Sequence, residues 1–101
     1  MKNIYRIIWT DQAILGLKRT INHLEKRWSQ KELSYFSRLL DKQLEIIKES
    51  PGIYPFSNKT KGIRKSVLSK QTSIYYKVEG DTIYLLSVFD NKQNPGKLKF
   101  K

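Results

Sequence analysis

A chain of 101 residues and 12.0 kDa, 39% hydrophobic and 12% aromatic, can bury one modest core and carries too much large apolar surface for a disordered protein. The absence of cysteine excludes disulfides and thiolate metal sites and fits a reducing, cytoplasmic compartment. With 20 Lys and Arg against 9 Asp and Glu, the net charge of +11 suits a protein that meets nucleic acid, an acidic protein or another anionic surface.

Residues Ile4 to Trp9, rich in β-branched and aromatic side chains, read as a first strand. This apolar run is too short for a signal-peptide core or a spanning helix, so no membrane association is expected. Thr10 stands where a helix N-cap would, and Asp11 opposes the positive end of the helix dipole. Ile14, Leu17, Ile21, Leu24 and Trp28 then recur at spacings of three and four, which predicts a helix with that apolar stripe against the core.

Ser29-Gln30-Lys31-Glu32 fits a capping box and predicts the start of a second helix. Its apolar positions are Leu33, Phe36, Leu40, Leu44 and Ile47, widened by Leu39 and Ile46, and Ser50-Pro51-Gly52 ends it. With almost no linker between them, the helices should form an antiparallel hairpin. PGIYPFSNKTKG reads as a loop, and three strands follow over Ile63–Lys70, Ser73–Val78 and Thr82–Phe89. Glu79-Gly80-Asp81 makes the tight turn between the last two, with Gly80 taking positive φ. Strict alternation puts Ile83, Leu85 and Phe89 on one face of the last strand and Tyr84, Leu86 and Val88 on the other, so this strand should be central and covered on both sides. The expected architecture is a single α+β domain over residues 1–101, ordered β-α-α-β-β-β, with a small, mainly antiparallel sheet and a helical hairpin packed on one face.

Conventional hydrolase and metal chemistry finds little material. His23 is the only histidine and falls beside the helix stripe, no carboxylate cluster resembles a ligand set, and there is neither a G-x-S-x-G elbow nor a glycine-rich phosphate loop. Asp81 and Asp90 bracket the last strand at opposite ends, too far apart to work as a pair. No cofactor and no metal are expected. The cations are more telling: no acidic residue lies between Glu49 and Glu79, whereas Lys59, Lys61, Arg64, Lys65, Lys70 and Lys77 all do, and Lys92, Lys97, Lys99 and Lys101 form a second group. Arg64, Lys65 and Lys70 are candidates for phosphate contacts, although alternation turns Arg64 and Lys65 to opposite faces. Tyr75, Tyr76 and Tyr84 have the chemistry to stack on bases, and in central strands they are expected to be core.

The ordered set IIWTDQAILGLKRTINHLEKRW, ESPGIYP, GIRKSVLSK, SIYYKV and IYLLSVFDNKQNPGKL resembles the RelE/ParE superfamily of bacterial toxins over nearly the whole chain. The resemblance implies the same fold and a cytoplasmic toxin held in a hetero-oligomer by a cognate antitoxin, whose often acidic C-terminal segment wraps the toxin. RelE-like members cleave mRNA on the ribosome, and ParE-like members poison DNA gyrase without being nucleases. Cleavage in the RelE-like branch depends on lysines on the second strand, an arginine opening the third, an arginine after the fourth and often a C-terminal tyrosine. In this chain Arg64 stands for one second-strand lysine and Ser66 falls at the next. Thr72-Ser73 replaces the third-strand arginine, Asn91 with Lys92 falls near the last arginine, and no tyrosine follows Tyr84. In-line attack by a 2′-hydroxyl needs a base, an acid and cations for the developing charge. That set is incomplete here, which favours the ParE-like side. The surfaces expected to meet the antitoxin or the target are Arg64, Lys65, Lys70, Asn91, Lys92 and Lys97. The alternatives are a ribosome-dependent endoribonuclease using Arg64, Lys65, Lys70 and Lys92, and a non-toxic relative that only binds antitoxin.

Overall fold

The computed structural model describes residues 5–25, 30–57, 62–68 and 72–90; the side chains of His23, Leu24, Phe89 and Asp90 lie outside that description. Its elements are β1 (Arg6–Trp9), α1 (Asp11–Glu25), α2 (Gln30–Glu49), β2 (Arg64–Val67), β3 (Thr72–Glu79) and β4 (Thr82–Asp90). The order is the one expected. The sheet runs β1-β4-β3-β2, with β1 parallel to β4 and the other two pairings antiparallel. β4 is therefore an inner strand, as its apolar residues on both faces predict. Gly80 turns the chain from β3 into β4 at φ 59°, a conformation that a side chain would strain.

Both helices lie on one face. Phe36, Leu40 and Ile47 of α2 and Ala13 of α1 share a buried cluster with Leu68, Ile74, Tyr76, Ile83 and Leu85. A fully buried Ile or Leu here stabilises the fold by about 1.5–3 kcal/mol, so this cluster is the main source of stability. The α2 stripe is the predicted one. The α1 stripe is not: Ile14 is 38% exposed, Leu17 and Ile21 are half-buried, and the buried positions are Ala13 and Thr20. Trp28, and Ser29 of the capping box, lie outside the described residues.

The cause of the α1 difference is close approach. A Cβ on Gly16 would stand 2.5 Å from the Val88 carbonyl oxygen, so α1 meets β4 backbone to backbone through small residues. Thr20 also turns its hydroxyl back to donate to the Gly16 carbonyl at 2.9 Å, which keeps its polar group satisfied in the contact. Large apolar residues at these positions would hold the helix off the sheet.

Thr10 joins α1 to β4 as well as capping it. Its Oγ1 accepts from the Ala13 N–H at 3.2 Å, as an N-cap does, and donates to the Leu85 carbonyl at 2.7 Å. The same stretch of β4 contains a β-bulge. Tyr76 registers with Leu85 and Tyr75 with Ser87, which leaves Leu86 as the extra residue. The bulge corrects the expected alternation, because Val88 now registers with Ile74 on the helix side rather than sharing a face with Leu86.

Candidate functional site

β2 spans four residues, shorter than the expected Ile63–Lys70, and its side chains alternate across the sheet. Arg64 registers with Tyr76 and Ser66 with Ile74, both on the helix side, whereas Lys65 registers with Tyr75 and Val67 with Ser73 on the second face. The two neighbouring cations, Arg64 and Lys65, are thus separated by the sheet itself.

Arg64 is engaged by the segment that follows α2. Its Nη1 donates to the Tyr54 carbonyl at 2.7 Å and reaches the Gly52 carbonyl at 3.5 Å, and its guanidinium lies 4.0 Å from the centre of the Phe56 ring. Residues 55–57 expected as loop instead line the outer edge of β2. Phe56 bridges to Arg64, Lys65 N–H donates to the Pro55 carbonyl at 2.9 Å, and Ser57 N–H donates to the Ile63 carbonyl at 2.6 Å. This strap blunts an edge strand that would otherwise present open backbone groups.

A buried polar cluster fixes the strap from beneath. The Tyr76 hydroxyl donates to the Pro51 carbonyl at 2.6 Å, and the Gln43 amide of α2 donates to both the Tyr54 hydroxyl and the Ser66 hydroxyl. Ser66 is fully buried. Burial pushes the Tyr76 phenol up to about 12, with a smaller opposing pull from the Arg64 charge. No buried side-chain polar atom among the described residues lacks a partner.

The second face has a smaller cluster of Ile63, Tyr75 and Leu86, with half-buried Tyr84 packed against it. Burial raises the Tyr75 phenol above its ordinary value, and the Lys65 ammonium stands 5.9 Å from the centre of that ring. Lys77 registers with Tyr84 and pairs with Glu79 at 3.1 Å in a partly exposed salt bridge. Tyr75 and Tyr76 are core residues, as their place in an inner strand predicts. Thr72 and Ser73 are buried too.

Of the candidate residues, Arg64 and Lys65 are described and lie on opposite faces; Lys70, Asn91, Lys92 and Lys97 lie outside the described residues. Sequence reasoning missed the strap, Gln43 and the clamping role of Arg64. The one signal for them was Tyr54 and Phe56 in a segment otherwise composed like a loop. Among the described residues no group of three His, Cys, Asp or Glu is placed to hold a metal ion, and no helix is long and apolar enough to cross a membrane.

A chain of the chromosomal ParDE toxin-antitoxin system from P. aeruginosa superposes with a TM-score of 0.74 at 16% identity, covering 87% of this chain and 97% of its own. The two chains share their fold. A copper-bound mutant toxin from Helicobacter pylori superposes at 0.52 and 14% identity over 87% of this chain and 96% of its own. A mutant of YafQ from E. coli does so at 0.52 and 17% identity over 86% and 93%. No family model and no curated relative matches the sequence. The fold is thus shared at identities where few side chains are, so every site residue has to be argued from its own surroundings.

Proposed function

We propose that this chain is the toxin of a type II toxin-antitoxin pair, one cytoplasmic domain over residues 1–101, on the ParE-like side of the superfamily. It acts by binding DNA gyrase rather than by its own catalysis, and a cognate acidic antitoxin neutralises it in a hetero-oligomer. The observation that carries this reading is the use made of β2. Arg64 is bound to strap carbonyls, and Ser66, which stands at a lysine position of the cleaving relatives, is buried and receives a hydrogen bond from Gln43. Ser66 brings no cation to a developing phosphorane, and the Nη1 of Arg64 is already bonded to backbone carbonyls. The better superposition on the ParDE chain than on YafQ supports the same side.

The test is supercoiling by purified gyrase with added toxin. Inhibition that antitoxin reverses is the expected result, and undiminished supercoiling at excess toxin removes gyrase as the target. Mapping mRNA ends after induction separates the nuclease reading, because codon-phased cuts would require Lys65 and the cations outside the described residues to supply the chemistry.

A further inference from the structure

The strap between α2 and β2 is held mainly by polar contacts. Of residues 50–57 only Pro51 is buried, Tyr54 packs half-buried against the main cluster, and Gly52, Ile53, Pro55 and Phe56 are exposed. Little apolar area returns to water when these residues leave the sheet, and segments of that kind open at lower free energy than a core. Hydrogen bonds do the holding. The Tyr76 hydroxyl donates to the Pro51 carbonyl, Arg64 Nη1 to the Tyr54 carbonyl and the Gln43 amide to the Tyr54 hydroxyl, and two backbone bonds tie the strap to the edge of β2.

β2 does not depend on the strap in the same way. Its other edge pairs with β3 from Arg64 to Val67, Ser66 is fully buried, and Ile63 and Leu68 at its two ends are buried as well. The strap can therefore leave while β2 stays. Its contacts with β2 also converge on one place. Phe56 bridges to Arg64 and lies under its guanidinium, and the bonds from Ser57 N–H to the Ile63 carbonyl and from Lys65 N–H to the Pro55 carbonyl flank that bridge on either side. Lifting residue 56 away from Arg64 breaks both flanking bonds together.

We propose that residues 50–57 are a clasp that opens as one unit while the helices and the β3–β4 ladder stay folded, baring the outer edge of β2. Closed, the clasp occupies the Lys65 N–H and the Ile63 carbonyl. Open, it leaves them as a pairing edge beside a guanidinium released from the strap carbonyls. The clasp is thus a switch on strand pairing at β2, and Arg64 is the positioning residue that keeps it shut. It works in the same way whatever the target of the chain.

Amide exchange of the intact protein, followed by NMR through a series of low urea concentrations, tests the clasp. Ser57 and Lys65 should share one protection factor, at least about a hundredfold below that of Ile83 and Leu85 in β4. Their exchange should also be insensitive to urea where that of Ile83 and Leu85 speeds up, because the opening exposes little surface. Arg64→Met should speed Ser57 and Lys65 by the same factor, about tenfold. A covalent lock gives the converse. Phe56 and Arg64 face each other between the two flanking bonds, a geometry that sets Cα atoms about 4.5 Å apart, and the chain has no cysteine of its own, so Phe56→Cys combined with Arg64→Cys can be oxidised to close the clasp. The oxidised form should exchange Ser57 and Lys65 at least about tenfold more slowly than the reduced form. Ser57 and Lys65 exchanging with the protection and urea dependence of Ile83 and Leu85 would mean that the strap opens only with the whole chain, and overturns the proposal. So do separate protection factors for Ser57 and Lys65, or equal exchange in the oxidised and reduced forms.

Discussion

The two faces of the sheet are built on different terms. On the helix side the side chains of Ile47, Ile74, Tyr76, Ile83 and Leu85 are fully buried, and the polar groups among them are bonded to one another or to backbone. Among the described residues the second face has the small Ile63–Tyr75–Leu86 cluster with Tyr84 against it, and is bordered by exposed Ile8 and Val67 and by the Lys77–Glu79 pair. β2 crosses between these two environments at every residue. The same kind of charge accordingly does different work one position apart: Arg64 is part of the structure, and Lys65 is part of the surface. Charge pattern along a strand does not identify a binding site until the faces are separated.

The hardest way to break this contrast is at the helix face. Gly16→Val places a branched side chain where a single Cβ already meets the Val88 carbonyl at 2.5 Å, and neither backbone can give way cheaply. A loss of about 3 kcal/mol in urea unfolding is expected, well beyond the roughly 0.3–0.5 kcal/mol by which valine exceeds glycine in helix propensity. Unfolding indistinguishable from the parent would mean that α1 is not seated on β4 as described.

Tyr76→Phe comes next. It leaves the Pro51 carbonyl without its donor in a buried site, which should cost about 1–3 kcal/mol. The same residue gives a pH signature. Its phenol is pushed up to about 12 from an ordinary value of 10.0, so between those values the unfolded chain releases the proton and the folded one keeps it. Stability from this group is complete below pH about 10 and falls as pH rises toward about 12. Alkaline unfolding followed by circular dichroism should be less steep across that window in Tyr76→Phe, and equal slopes would refute the burial of the hydroxyl.

Arg64→Met and Lys65→Gln sharpen the comparison within β2. The first removes a charged donor from the Tyr54 carbonyl and the ring contact with Phe56, an effect of about 1–2 kcal/mol after allowance for partial exposure. The second removes an ammonium 5.9 Å from the centre of the Tyr75 ring and should stay within about 0.5 kcal/mol by the same urea measurement. Equal losses in the two variants would erase the distinction between the faces. Smallest of all, Lys77→Gln should change stability by about 0.5 kcal/mol or less, since both partners of its salt bridge are partly exposed.

Much of the fold was legible because each element carried its own local signal. The period of Phe36, Leu40 and Ile47 marked α2, Thr10 marked the start of α1, and Gly80 marked the β3–β4 turn. The candidate site was legible only as composition. Arg64 and Lys65 stood out as cations, but the carbonyls that engage Arg64 lie ten and twelve residues earlier, and the Gln43 that holds Ser66 lies in a helix 23 residues away.

The sequence by itself determined the element order, the inner position of β4 and the α+β class, because periodicity, caps and turn residues act within a few positions of the chain. Tertiary structure alone decided three things. It seated α1 through Ala13, Gly16 and Thr20 instead of the more hydrophobic Ile14; it inserted Leu86 as a bulge that turns Val88 to the helix side; and it folded the strap onto β2. Each depends on how closely two backbones approach across a long separation in sequence, and hydrophobicity read along one segment carries no measure of that distance.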